Sequence, residues 1–131
     1  QNDTTRRLYY VFQLPHAWKE GSTIYPHIHF RQTDSATPTF KLDYSWHNIG
    51  AAIPAFTTLT MATTVVTYTS GSIHQIATNT SGISGSGKTI SSLLLCKLYR
   101  DDNIVSGDVL VWAMDVHYLR DSHGSKQEYV K

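Results

Sequence analysis

The sequence predicts an all-β domain built as an antiparallel sandwich or barrel, on three observations. Apolar and polar residues alternate with period two over four separate stretches, a fifth is crowded with β-branched residues, and the breaks between them are clusters of Gly, Pro, Ser, Asn and Asp. Alternation matters because successive side chains of a strand point to opposite faces, so one wet face and one dry face write themselves into the chain as a period of two. At 131 residues the chain has the size of one domain and can bury a core without disulfides or a structural metal.

The elements follow in order. "RLYYVFQL" places Leu8, Tyr10, Phe12 and Leu14 on one face. "LPHAWKEGS" then breaks the pattern and forms a turn at best. "IYPHIHFR" sets Ile24, Pro26, Ile28 and Phe30 against Tyr25, His27, His29 and Arg31, and "TFKLDYSWH" sets Phe40, Leu42, Tyr44 and Trp46 against Lys41, Asp43, Ser45 and His47. The stretch from Phe56 to Thr69 is rich in Thr and Val, whose branched Cβ favours extended backbone, and reads as one long strand or two short ones. "GSIHQIA" is another strand, followed by the Gly/Ser-rich segment "NTSGISGSG". "SLLLCKLY" suits a helix or a strand buried on both faces; the all-β context favours the strand, with Leu94, Cys96 and Leu98 on one side and Leu93, Leu95 and Tyr99 on the other. The final strand, "DVLVWAMDVHY", groups Leu110, Trp112, Met114, Val116 and Tyr118 opposite Val109, Val111, Ala113, Asp115 and His117.

Eleven basic residues against ten acidic give a net charge of +1, and the basic ones are scattered apart from Arg6 and Arg7, so the chain carries no electrostatic footprint for nucleic acid. No apolar run approaches the roughly 18 to 20 residues of a membrane-spanning helix. The single cysteine, Cys96, lies in an apolar run and reads as a small buried hydrophobe. A charged fraction of only 16% suggests that partners or further copies cover much of the surface.

Two motifs carry candidate chemistry. In "SGISGSGKTISS", Gly82 is followed by four residues and then Gly87, Lys88 and Thr89, the spelling of a phosphate-binding loop whose Lys reaches the terminal phosphates and whose Thr holds Mg²⁺. Such a loop needs an apolar strand before it and a helix after it, whereas polar "HQIATNTS" precedes this one, and Asp115, which lies about where a Mg²⁺-holding acid would be, sits in mid-strand. The expectation is a mobile hairpin between two strands. The second motif is Gly21, five residues, then His27-Ile28-His29, which resembles the opening of the first cupin motif. Histidines at i and i+2 of a strand share a face and suit one metal ion. The Glu and Gly that continue the cupin pattern are missing. His117, with Asp115 two residues before it, completes a metal site of His27, His29 and His117 if the two strands are neighbours. His16, His47, His74 and His123 stand singly, in surface or structural hydrogen bonding.

With the strands placed, "LYYVFQLPHAWKEGSTIYPHIHF", "YSWHNIG", "SGSGKTISSLLLCKLYRD" and "VHYLRDSHGSKQEYVK" resemble, in this order and spacing, a group of proteins encoded in tailed-phage and prophage genomes among the virion structural genes. The resemblance spans Leu8 to Lys131. It implies a jelly-roll-like antiparallel β-sandwich over residues 1–131, a single domain forming the C-terminal part of a longer product. It also implies a non-enzymatic role in the virion as a capsid decoration, fibre or tail appendage. The expected partners are further copies of the chain in a homotrimer, other virion proteins and a host-surface glycan, with no nucleic acid, no membrane and no cofactor. The alternative is a small cupin-like metal-dependent enzyme using His27 and His29, with a divalent metal as cofactor; a nucleotide binder using Lys88 comes third.

Overall fold

The computed structural model describes residues 6–33, 37–64, 74–101, 108–127 and 130. Seven strands carry the fold: β1 (Leu8–Gln13), β2 (Tyr25–Gln32), β3 (Phe40–His47), β4 (Thr57–Thr64), β5 (Gln75–Thr78), β6 (Leu93–Arg100) and β7 (Val109–His117). Every pairing is antiparallel, in the order β1-β6-β3-β4-β5-β2-β7. β4 turns the corner: up to Met61 it pairs with β3, and from Ala62 with β5. One nearly closed sheet thereby makes two layers, β1-β6-β3-β4 and β4-β5-β2-β7, the sandwich device of a strand that switches sheets. The pairs β2 with β7, β3 with β6 and β4 with β5 are nested in the sequence like the arms of one long hairpin rolled up, which is the sense in which the fold is jelly-roll-like. The part of the predicted Phe56–Thr69 strand beyond residue 64, and the start of the next one, lie outside the described residues.

The predicted dry faces meet between the layers. Ile24, Ile28 and Phe30 of the β2 segment and Phe40, Leu42 and Trp46 of β3 are buried with Leu94, Cys96 and Leu98 of β6, and the Phe30 and Phe40 rings pack edge to face with centroids 5.1 Å apart. Each such side chain contributes about 1.5–3 kcal/mol relative to an exposed one. β6 is a strand, as expected; it lies between β1 and β3, and burial pushes the Cys96 thiol up to about 12, which leaves it an inert packing group. Leu8 departs from its expected burial, for the layers part at that end around a cavity of about 640 Å³ lined by Leu8, Phe40, Leu98 and Arg100.

Two further expectations are corrected. The first concerns β7. Its pairing with β2 shifts between His29 and Phe30, so that His29 faces Ala113 while Phe30 faces Val111, and Trp112 is the extra residue of a β-bulge. The bulge reverses the alternation upstream: Val109 and Val111 pack on the core with Met114 and Val116, while Leu110 and Trp112 are each half exposed. The second concerns the Gly/Ser segment, which is docked against the barrel end. Ile83 bridges Ile24 through paired backbone hydrogen bonds and is buried, as is Ile90, whose amide donates to Glu20 Oε1 at 2.8 Å. With the turn around Trp18, fully buried and 5.4 Å from the Trp46 ring, this segment floors the core. Gly85 makes the docking feasible: a Cβ there would lie 2.3 Å from the Ser22 carbonyl oxygen and 2.7 Å from Trp18 Cζ2.

The outer face of the first layer holds a charged network. Asp43, nearly buried, faces Lys97 on β6 and Thr58 on β4 in register. It accepts from Lys97 Nζ at 2.7 Å, from Thr58 Oγ1 at 2.6 Å and from the Tyr99 hydroxyl at 3.3 Å. Burial alone would raise the carboxyl pKa, but the hydrogen bonds from Lys97 and Thr58 and the Lys97 charge outweigh it and hold Asp43 below its ordinary value of 3.8.

Two outcomes are expected. Gly85→Ala destabilises the fold by about 1–3 kcal/mol or more in urea unfolding, because the clash is with backbone that cannot yield. Asp43, depressed in the folded state, supplies stability that is complete above pH 3.8 and lost as the pH falls through its folded value. The urea midpoint of Asp43→Asn therefore falls less steeply below pH 3.8 than that of the wild type.

A candidate metal centre on the outer sheet face

The alternation that buries Ile28 and Phe30 turns His27 and His29 to the outer face of β2, and the antiparallel ladder sets His27 opposite Asp115 and Tyr25 opposite His117. Paired residues of neighbouring strands share a face, so the column Tyr25, His27 and His29 of β2 meets His117, Asp115 and Ala113 of β7. His27 Nε2 lies 2.7 Å from Asp115 Oδ1, and His29 Nε2 lies 3.6 Å from Asp115 Oδ2. The donor atoms of His27, His29 and Asp115 all fall within 4.8 Å of one another.

Although it points outward, His27 is 6% exposed, because the rings of His29 and His117 close over it with centroids 4.8 and 4.3 Å away. Its pKa is lowered from 6.5, first by burial; Asp115 opposes this, and His117 and His29 add to the lowering. The imidazole is neutral at pH 7 and free to offer a lone pair. Asp115 is half exposed, so the group opens to solvent on the β7 side.

The expected grouping of His27, His29 and His117, with Asp115 beside them, requires that their strands adjoin, and they do. His117 packs edge-on against the His27 ring, while Asp115 supplies the third close donor atom. His74, which stands singly in the sequence, joins the group. It precedes β5, on the other side of β2, and its Nε2 lies 2.6 Å from His29 Nδ1, with the Trp112 ring 5.4 Å beyond. Its membership depends on which strands adjoin, and no local pattern reports that. His16 has the structural role expected, with its ring nitrogens bonded to Ser91 Oγ at 2.8 Å and Ser125 Oγ at 3.2 Å.

The phosphate-loop spelling is used otherwise. Lys88 Nζ donates to the Trp46 carbonyl at 2.9 Å, Asn48 clamps the loop by donating to the Gly87 carbonyl and accepting from the Thr89 amide, and the chain runs on into strand β6 with no helix. The residues that would cradle a phosphate are thus tied to β3 and to the loop after it. No family model, curated protein or solved structure matches the chain.

Lys88→Ala is expected to lower stability by about 1 kcal/mol through the lost charge-assisted hydrogen bond, and excess ATP with Mg²⁺ to leave the melting temperature of the wild type unchanged, both read by thermal unfolding.

Proposed function

We propose that the chain is a non-enzymatic assembly module of a phage particle, a decoration, fibre or appendage domain that works by packing against further copies of itself in a closed trimer and against other virion proteins. The observation that carries this reading is an exposed apolar patch on the outer face of the first layer, beside the Asp43 network. Tyr9 and Val11 on β1 are 74% and 63% exposed. In register, Val11 adjoins Leu95 on β6, which adjoins Ser45 on β3. Ser45 in turn donates to the Pro54 carbonyl, which lays the 49–56 loop on this face with Ile53 and Phe56 63% and 51% exposed. Contiguous exposed apolar surface of this kind marks an interaction site. β1 also ends the sheet order, so its outer edge offers backbone groups for pairing. A closed ring satisfies both, since homo-oligomers favour closed point groups. The resemblance of the sequence phrases to virion structural proteins favours the same setting.

The grouping of His27, His29 and Asp115 favours a second reading, a small metal-dependent enzyme of cupin type, whose mark would be turnover lost with His29→Ala.

Light scattering on the purified chain at micromolar concentration tests the first reading. Three times the chain mass is expected, and Val11→Asp with Ile53→Asp, both exposed and so harmless to the fold, should return the monomer. A clean monomer for the unaltered chain would contradict it.

A further inference from the structure

We propose that His27, His29 and Asp115 bind one divalent first-row transition ion of the zinc class, that His74 fixes His29 for this task, and that the ion pins β2 to β7 beside the bulge. The proposal stands whether or not the chain assembles. Two imidazole nitrogens and one carboxylate oxygen are borderline donors that suit zinc and its neighbours, whereas calcium and magnesium require oxygen sets. Tetrahedral zinc with bonds of about 2.0–2.1 Å spaces its donors roughly 3.3 Å apart. The present spacings, 2.7 and 3.6 Å with every donor inside 4.8 Å, reach that by side-chain rotation alone. The main chain already holds the three residues, His27 and His29 by the period of β2 and Asp115 by its register with His27.

The bond between His29 and His74 is the independent observation. When His29 Nδ1–H donates to His74 Nε2 at 2.6 Å, His29 Nε2 is left unprotonated and faces Asp115, at 3.6 Å and beyond hydrogen-bond length. That is the arrangement by which a second partner selects the tautomer of a metal-ligating histidine. His27, which donates Nε2–H to Asp115 in the metal-free state, becomes a ligand by moving that proton to Nδ1. Solvent reaches the half-exposed Asp115 side and fills the fourth position. The ion would bridge two strands next to the point between His29 and Phe30 where their ladder is interrupted.

The test uses the full chain, stripped with a chelator and titrated with zinc by calorimetry, with thermal unfolding in excess zinc, magnesium or calcium. One zinc per chain with micromolar or tighter affinity is expected, with a rise in melting temperature that magnesium and calcium do not give. His27 is buried and its loss could unfold the chain, so the more exposed variants carry the test. Asp115→Asn and His29→Ala should weaken binding about 100-fold or more, and His74→Ala about 10- to 100-fold. Absence of zinc binding at millimolar concentration, or affinity unchanged from the wild type in Asp115→Asn and His29→Ala, overturns the site. Stabilisation by calcium or magnesium as large as by zinc overturns the ion class, and unchanged affinity in His74→Ala overturns the role of His74.

Discussion

β2 and β7 pair along their full length, from Tyr25 opposite His117 to Gln32 opposite Val109, with a one-residue shift between His29 and Phe30. Both faces of the second layer depend on this ladder. A slip of one residue in a strand exchanges its two faces. Trp112 absorbs such a slip, so Val109 and Val111 lie inward on one side of the bulge while Met114 and Val116 lie inward on the other. Had the ladder run without the shift, Leu110 and Trp112 would have faced the core and the valines the solvent. On the outer face the same ladder brings Asp115 to His27 and His29, and the bulge sets Trp112 beside His74.

The rest of the molecule supports that pairing from below and behind. The barrel end is closed by the Trp18 turn and by the Gly/Ser segment, whose glycine at position 85 lets two backbones approach closely. In the other layer, β6 runs between β1 and β3, so its inward residues are core and its outward ones are half covered by neighbours. The Asp43 network is satisfied by cross-strand partners in register and lies apart from the histidine face, across the sandwich. Its carboxylate is already committed to Lys97, Thr58 and Tyr99, and this distinguishes it chemically from Asp115, whose side chain is open to solvent on one side.

Much of this was legible in the amino-acid order. Where polar and apolar residues alternate strictly, as in "IYPHIHFR" and "TFKLDYSWH", the faces follow from the chain, and even the ambiguous "SLLLCKLY" resolved correctly once its neighbours were strands. "DVLVWAM" failed because residues 109 to 112 are all apolar: period two carries no phase information when both faces are greasy, so a bulge leaves no mark. The Gly/Ser loop misled for a different reason. Its composition signals conformational freedom, yet Gly85 serves close packing, which depends on Trp18 and Ser22 far away in the chain. Pairing partners were the other hidden quantity. His27, His29, Asp115 and His117 could be grouped conditionally, because each strand shows its own polar column, but His74 enters only through the adjacency of β5 to β2.

The β2–β7 register is therefore the point on which the account is most exposed. Cross-strand nuclear Overhauser contacts in solution measure it directly. The account predicts backbone contacts pairing His27 with Asp115, His29 with Ala113 and Phe30 with Val111, with Trp112 unpaired between them and its ring close to His74. An unbroken ladder pairing Phe30 with Trp112 would contradict it, since Val109 and Val111 would then leave the core and Trp112 would leave the histidine face.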